Sequence, residues 1–365
     1  MLLSHFTIGV FLTLTYHTVD AFDKTNHPCP LPLCSECPIA KDVYSEGVGF
    51  DLSASYGTAA IGYRNGSVVN VGKLDASPAY QSLMKQLSEK RRGQLSSRFE
   101  SIRDDPAHGR ESSQRRLSTP YLLDIEPISL LISELKTQTE GLLGHSIHSV
   151  AVSSPDYIGL SNAEISEATE YLGLRNLAGQ NNKSLFSVDY SGYSTGIVPI
   201  SIYPNACEGD EEPSETVLRL DYTGTTLSGS LSLLQRGRLQ RTDNSFVDWY
   251  LGLERKPRFI EEEAYWDLLW RRIRRLVQEP TIRGRLKKII LTGDAINIRE
   301  PRFFREVRDA LRGIIDPFAL DTLESNSADA VFAAARGAAE FAKRYQEGPV
   351  GCLESDECRA LRESV

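Results

Sequence analysis

The sequence predicts a two-lobed α/β protein in which one hairpin unit occurs twice and faces itself across a central cleft. Residues 48–72, VGFDLSASYGTAAIGYRNGSVVNVG, contain a strand, an aspartate, a turn of small residues and a second strand. Residues 217–234 repeat that order, with the aspartate at 221 and a turn of Thr and Gly. Helical and strand-like apolar patterns alternate around both hairpins, which is typical of α/β domains.

Composition limits the classes of function. The chain has 365 residues, of which 41% are hydrophobic and 25% charged, as in an ordinary globular protein. Its formal net charge is -8, whereas nucleic-acid binders usually carry a basic surface that neutralises phosphates. We therefore expect no nucleic-acid partner.

The N-terminus predicts entry into the secretory pathway. An apolar run covers 6–16, and small or short residues follow at 19–21, so residues 1–21 read as a signal peptide. The run is shorter than the roughly 20 residues of a membrane span, although an uncleaved anchor or a core strand remain alternatives. We expect no stable membrane span after cleavage. The last residues, LRESV, carry no retention tetrapeptide, which favours secretion or a post-ER compartment and leaves the ER lumen open.

Cysteines and glycan acceptors fit that route. The six cysteines are disulfide candidates in an oxidising compartment, and their connectivity cannot be read from the sequence. They are Cys29, Cys34, Cys37, Cys207, Cys352 and Cys358. An alternative takes Cys34-x-x-Cys37 as a zinc or redox motif, but no second such motif or histidine pair completes a site. Asn65 and Asn182 begin N-glycosylation sequons.

Lobe I is predicted over 47–200, after a Cys/Pro-rich segment at 22–46. Asn65-Gly66 is a hairpin-turn signal between the second and third strands. Ser161 and Glu164 have capping-box spacing, which marks the start of a helix. The other predicted elements are a helix that breaks into a mobile Arg-rich loop at about 88–120, a helix at 125–143, a buried strand at 149–153, and strands at 185–188 and 194–203.

Lobe II is predicted over 201–325. It is followed by a closing Ala-rich helix at 326–345, which returns to lobe I, and a Cys-containing tail at 346–365. The helix at 259–278 has four arginines beside an aromatic stripe, but three glutamates open it, so we interpret it as core-packed with a solvated basic face. The other predicted elements are an acidic loop at 208–215, strands at 217–221, 227–234 and 288–291, and a helix at 301–312.

These stretches resemble the nucleotide-binding domain of the heat-shock protein 70 chaperones, within the actin-like ATPase superfamily. VGFDLSASYGTAAIGYRNG is similar to the first phosphate loop, I/V-G-I-D-L-G-T-T-Y-S, and VLRLDYTGTTLSGSLSLLQRG to the second, D-L-G-G-G-T-F-D-V-S. KKIILTGDAINIREPRFFREVRDAL is similar to the adenosine loop, V-L-V-G-G-S-T-R-I-P, and SADAVFAAARGAAEF to the closing helix. The resemblance covers roughly residues 47–345 and includes no chaperone-type substrate-binding domain.

The resemblance implies a fold and a ligand. The fold is that of an actin-like ATPase, with two lobes of duplicated ribonuclease-H-like mixed sheets flanked by helices around a central cleft. The ligand is ATP or ADP with Mg²⁺, which Asp51 and Asp221 would hold through water. The nucleotide contacts implied besides these aspartates are Ser53, Ala54, Ser55, Gly224, Thr225 and Thr226 at the phosphates, and Gly293 and Asp294 near the nucleoside.

Departures from the family pattern predict weak or absent hydrolysis. Ser53 replaces a glycine of the family. A glycine at this position lets the backbone approach phosphate closely, and a serine side chain hinders that approach. Thr223 and Thr225 replace two more glycines, and no residue corresponds to the catalytic lysine. Catalytic residues therefore stay unassigned, and any activity would be that of an ATPase.

Two alternatives to weak nucleotide binding remain open. The first is a pseudo-ATPase scaffold that binds an unidentified protein partner without nucleotide. The second is a sugar or metabolite kinase of the same superfamily, whose general base would be Asp156 or Asp189. Both of these aspartates are more simply interpreted as turn residues.

Overall fold

The computed structural model describes most of residues 43–363, together with a short part of the N-terminal segment. The described residues are 33–34, 37, 43–104, 125–178, 186–197, 215–235, 238–278, 286–297, 300–324, 327, 329–348 and 353–363. Several predictions lie outside them, namely the signal peptide, the sequon at Asn182, residues 105–120 of the Arg-rich loop, and Cys29, Cys207 and Cys352.

The fold is mixed α/β, with two mixed sheets flanked by helices. The sheet of lobe I has the order β3-β2-β1-β4-β5, in which β1 is antiparallel to β2 and parallel to β4. Its strands are β1 (Gly47–Leu52), β2 (Tyr56–Gly62), β3 (Val68–Asp75), β4 (Ser149–Ser153) and β5 (Arg175–Asn176). The exposed Asn65 lies in the turn between β2 and β3 and accepts hydrogen bonds from Ser67.

The sheet of lobe II repeats this arrangement with the order β8-β7-β6-β9. Strand β6 is antiparallel to β7 and parallel to β9, as β1 is to β2 and β4. The strands are β6 (Glu215–Tyr222), β7 (Leu227–Gln235), β8 (Arg238–Asp248) and β9 (Leu286–Thr292). The duplicated unit predicted from the two hairpins is therefore present at the level of sheet topology.

Helices cover the sheets where apolar stripes predict them. The helices of lobe I are α1 (Pro78–Asp104), α2 (Glu126–Leu143), α3 (Asn162–Glu170) and α4 (Ser187–Ser194). Those of lobe II are α5 (Glu262–Val277), α6 (Asp294–Asn297), α7 (Pro301–Leu311) and α8 (Pro317–Asp321). Two more follow, α9 (Ala333–Glu347) and α10 (Asp356–Glu363). No described helix has both the length and the apolarity that a membrane crossing needs.

The capping-box signal predicts the start of α3 and is confirmed, whereas α5 begins at Glu262, three residues after the predicted start at 259. Ser161 caps α3, and its side chain and that of Glu164 form the reciprocal capping box. In α5, Trp266, Leu269 and Ile273 are buried in the core of lobe II, while Glu262 and Glu263 occupy the first turn. The arginine-rich face of α5 is thus carried by a core-packed helix.

Two predicted segments differ in the structure. The strand predicted at 185–188 is wrong, because the chain turns into α4 at Ser187, where the Asp189 carboxylate accepts the Phe186 N–H at 2.9 Å. A short apolar run does not distinguish a strand from a buried helix. The loop predicted from about residue 88 begins instead as a continuation of α1, which runs to Asp104.

Helix α9 follows lobe II in sequence but packs on lobe I, against β1, β2, β4 and α4. Small residues allow this contact. A Cβ on Gly337 would collide with the backbone oxygen of Tyr190 in α4, and one on Gly49 would collide with the backbone of α9. The Nζ of the buried Lys343 donates to the backbone oxygens of Val43 and Ser45, both at 2.9 Å.

A disulfide joins the two ends of the described chain. Cys37 is bonded to Cys358 of α10, and Leu33 forms a parallel bridge with Leu353. Cys34 is also disulfide-bonded. Because Cys37 is bonded to Cys358 and not available as a thiolate, the zinc or redox interpretation of Cys34-x-x-Cys37 has no support.

Gly337→Ala tests the contact between α9 and α4. We expect it to lower the free energy of unfolding by about 2–3 kcal/mol, because the new methyl group must displace backbone. The control is Gly141→Ala in α2, where an added Cβ meets nothing within 4 Å; it should raise stability by about 0.5–1 kcal/mol. Urea unfolding measures both, and equal effects would contradict the close packing.

The double variant Cys37→Ser/Cys358→Ser tests the terminal disulfide. We expect a loss of about 2–4 kcal/mol, because the unfolded chain regains the freedom that the crosslink removes. Urea unfolding with and without reductant measures it. A wild-type protein that is no more stable than the double variant under oxidising conditions would show that the crosslink contributes nothing.

Candidate functional site

The two predicted metal-associated aspartates occupy equivalent positions in the two lobes. Asp51 lies beside Ser153 in the parallel pair β1–β4, and Asp221 lies beside Thr292 in the pair β6–β9. Ser153 Oγ donates to Asp51 Oδ1 at 2.5 Å, and Thr292 Oγ1 donates to Asp221 Oδ1 at 2.8 Å. The duplication thus includes a hydroxyl partner that motif reading missed, although both strands visibly end in a hydroxyl residue.

Helix α4 supplies a second hydroxyl to lobe I. Ser187 Oγ, in its first turn, donates to Asp51 Oδ1 at 2.7 Å. Asp51 is 5% exposed and Asp221 is 2% exposed. Both carboxylates therefore lie in the protein interior and not on the wall of an open cleft.

Arg219 connects Asp221 to a carboxylate of the other lobe, that of Asp156. It precedes Asp221 by two residues in β6, so both side chains leave the same face of the sheet. One terminal guanidinium nitrogen lies 3.7 Å from Asp221 Oδ1 and the other 4.0 Å from Asp156 Oδ1. Asp156 follows β4 in lobe I, and the Arg219 and Asp156 side chains are 4% and 6% exposed. Sequence reasoning assigned no role to Arg219, because a lone arginine in a strand carries no motif.

Burial controls the charges of this cluster. It raises the pKa of Asp51 and of Asp221, while the positive charge of Arg219 opposes the rise in both. Burial alone would lower the pKa of Arg219, but Asp221, Asp156 and Asp51 together raise it. Arg219 therefore stays charged. Asp51 and Asp221, by contrast, accept a proton at a higher pH than an aspartate in water does.

The first predicted phosphate loop is enclosed within lobe I. The Ser53 N–H donates to the Tyr56 oxygen at 2.9 Å, and the Tyr80 hydroxyl donates to the Ser53 oxygen at 2.8 Å. Ser53, Ala54 and Ser55 are all buried. The loop keeps the path of a tight turn, and both backbone groups of Ser53 bond within the lobe.

The second predicted phosphate loop also satisfies its own backbone. Thr223 Oγ1 accepts the N–H of Thr225 at 3.2 Å and that of Thr226 at 2.9 Å. The Thr223 N–H donates to the Thr226 oxygen at 2.9 Å, and the Gly224 N–H donates to Asp294 Oδ1 at 3.0 Å. All four amides of this turn thus have acceptors inside the protein.

Asp294, predicted near a nucleoside, lies over the second loop. Besides accepting from Gly224, it forms an ion pair at 3.1 Å with Lys73 Nζ of β3, in the other lobe. A Cβ on Gly224 would lie 2.7 Å from a Glu254 carboxylate oxygen, so this side of the loop is also covered. Gly293 has a φ of +112° and approaches the backbone of Tyr222 closely.

The arrangement does not fit a magnesium–nucleotide complex at this place. Phosphate recognition needs backbone N–H groups that point at the ligand, and those of the second loop have internal acceptors. A hydrated metal ion would have to share Asp221 with the Arg219 guanidinium, which lies 3.7 Å from its Oδ1. In the described part of the chain, no group of three or more His, Cys, Asp or Glu residues could hold a metal ion.

A separate cavity of about 450 Å³ lies between the end of α4, strand β9 and α8. Its lining includes Thr195, Ile290, Phe318, Ala330 and Arg336. None of the residues predicted to contact nucleotide lines it.

Comparison with known proteins finds no matching family model and no curated protein with significant sequence similarity. The functional argument therefore depends on the geometry of the site.

The pKa shift of Asp51 predicts a pH dependence. A raised pKa in the folded state stabilises the protein below the ordinary aspartate pKa of about 4, and this stabilisation is lost as pH rises through the folded-state value. Asp51→Asn removes this titration and should flatten the fall of unfolding free energy above about pH 4. Urea unfolding over a pH series measures it.

The control is Asp267→Asn, because Asp267 is half exposed and its ion pair among the described residues is with its helix neighbour Arg271. That variant should keep the wild-type pH profile. If Asp51→Asn also keeps it, Asp51 is not the group that titrates.

Proposed function

We propose that this chain is a pseudo-ATPase of the secretory pathway. In this proposal it has the actin-like ATPase architecture, its cleft is closed by its own side chains, and it acts as a protein-interaction module without nucleotide. The observation that carries the proposal is the second predicted phosphate loop, in which every backbone N–H from Thr223 to Thr226 already has an acceptor within the protein.

A phosphate would have to compete for the amides of this loop with the acceptors that they already have. A phosphate would have to displace the Asp294 carboxylate from the Gly224 N–H, and that carboxylate is itself held by Lys73. It would also have to displace the Thr223 hydroxyl from two amides. A charged acceptor makes a stronger hydrogen bond than a neutral one, so Asp294 is the stronger competitor.

The kinase alternative has little support. Asp156 faces Arg219, and Asp189 accepts the Phe186 N–H at the start of α4. Each carboxylate thus already faces a group of the protein itself. A general base must instead lie within hydrogen-bond reach of the proton that it removes from a substrate.

Topology and the disulfide support the rest of the proposal. Both sheets share the order 3-2-1-4 in their first four strands, with the same parallel and antiparallel pairs. This is the duplication expected of ribonuclease-H-like lobes. The Cys37–Cys358 disulfide is compatible with an oxidising compartment.

Nucleotide binding with weak or no hydrolysis is the second candidate. It is favoured by the equivalent positions of Asp51 and Asp221 and by the positive φ of Gly293. This candidate requires Asp294 to release the Gly224 N–H when ATP or ADP binds with Mg²⁺.

A ligand titration separates the two candidates. The pseudo-ATPase should show no saturable change of melting temperature with millimolar ATP or ADP and Mg²⁺, and no heat of binding by calorimetry. A nucleotide-binding protein should gain about 2.7 kcal/mol at a hundredfold excess of ligand over Kd. A saturable, Mg²⁺-dependent rise in the wild type would overturn the proposal.

Asp294→Ala is the matched variant, because it frees the Gly224 N–H without touching the loop itself. Binding that appears only in Asp294→Ala would identify this side chain as the group that excludes phosphate. The protein should be produced in an oxidising host so that the terminal disulfide forms.

A further inference from the structure

We propose that Arg219 is an internal counter-cation that latches the two lobes together. Its guanidinium lies between Asp156 of lobe I and Asp221, which is one of the two aspartates that the resemblance assigns to a hydrated metal ion. The inference deepens the proposed function and rests on it, since it names what holds the cleft closed without a ligand.

The guanidinium connects carboxylates from both lobes. Asp221 belongs to its own strand, while Asp156 belongs to the turn after β4 in lobe I. The positive charge of Arg219 also opposes the rise in the pKa of Asp51, in lobe I. Arg219 and these three aspartates are each at most 5% exposed, so water screens their attraction little.

The contact is a bridge and not a tight pair. The guanidinium lies 3.7 Å and 4.0 Å from its two nearest carboxylate oxygens. Asp221 Oδ2, Asp156 Oδ1 and Arg219 Nε have no hydrogen-bond partner. The group therefore attracts two carboxylates through charge, and it does so across the lobe boundary, because Asp156 and Asp221 come from different lobes.

The duplication shows why this cation is specific to lobe II. The position equivalent to Arg219, two residues before Asp51, is Gly49. A side chain there would collide with Ala335 and Ala339 of α9. Lobe I thus has a glycine packed under a helix at this position. Lobe II has an arginine that reaches across the seam, which is the boundary between the lobes where residues 149–157 face residues 217–228.

Other contacts between the two lobes include an ion pair and a hydrogen bond between neutral groups. The Lys73 and Asp294 side chains are 28% and 23% exposed, and solvated pairs contribute little. Trp249 Nε1 donates to Ser88 Oγ at 3.0 Å, between neutral groups. Removing the charge of Arg219 would leave buried carboxylates of both lobes without a counter-ion, which is strongly unfavourable.

Hydrogen exchange of the full chain without ligand tests the latch. Arg219→Met keeps much of the side-chain volume and removes the charge. We expect at least tenfold faster exchange in peptides that contain 149–157 and 217–228, on the two sides of the seam, and unchanged exchange in α7. Arg219→Lys keeps a cation and should change the rates less than threefold. The control is Arg271→Met, because Arg271 is exposed on α5; it should leave the seam unchanged.

Asp156→Asn keeps the test decisive if Arg219→Met fails to fold, since it removes only the lobe I end of the bridge. It should also accelerate exchange at the seam. The double variant Arg219→Met/Asp156→Asn should exchange no faster than Arg219→Met, because both changes break one interaction.

Wild-type rates at the seam in Arg219→Met and Asp156→Asn would overturn the latch, as would additive effects in the double variant. These measurements contain no nucleotide. The proposed function instead fails if the wild type binds ATP or ADP with Mg²⁺, so the two failures are distinguishable.

Discussion

The central constraint on this structure is the burial of three carboxylates and one guanidinium where the two lobes meet. A carboxylate is costly to bury unless it is paired and hydrogen-bonded, yet Asp51, Asp156 and Asp221 are all buried near the seam between the lobes. Hydroxyl donors from β4, α4 and β9 satisfy part of their requirement. Arg219 adds a positive charge within 4.0 Å of carboxylate oxygens from both lobes.

A second constraint is the close approach of α9 to lobe I. Glycines in β1 and in α9 let backbones meet where any side chain would collide. Because α9 follows lobe II in sequence, lobe I receives this helix only after the chain has passed through lobe II. Two further contacts join the start of the described chain to its end. Lys343 donates hydrogen bonds to Val43 and Ser45, and Cys37 forms a disulfide with Cys358. The two lobes are thus interdependent in folding.

Function is a separate matter from this architecture, because fold alone does not imply activity. In the second turn that resembles a phosphate loop, all four amides from Thr223 to Thr226 donate to acceptors within the protein. Asp221, one of the two carboxylates that would hold a metal ion, lies 3.7 Å from a guanidinium. A protein built in this way would keep the rigid two-lobed shape that a binding module needs while giving up the open cleft that catalysis needs.

Local periodicity and short motifs were enough to predict the duplicated hairpins, the capped start of α3, the apolar face of α5 and the equivalent aspartates Asp51 and Asp221. They misassigned the start of α4, where a short apolar run is compatible with both a strand and a buried helix. The positions of Ser153, Thr292 and Arg219 near acidic side chains follow from the packing of the chain as a whole. These contacts join residues 63 to 102 positions apart. No local pattern records such a distance.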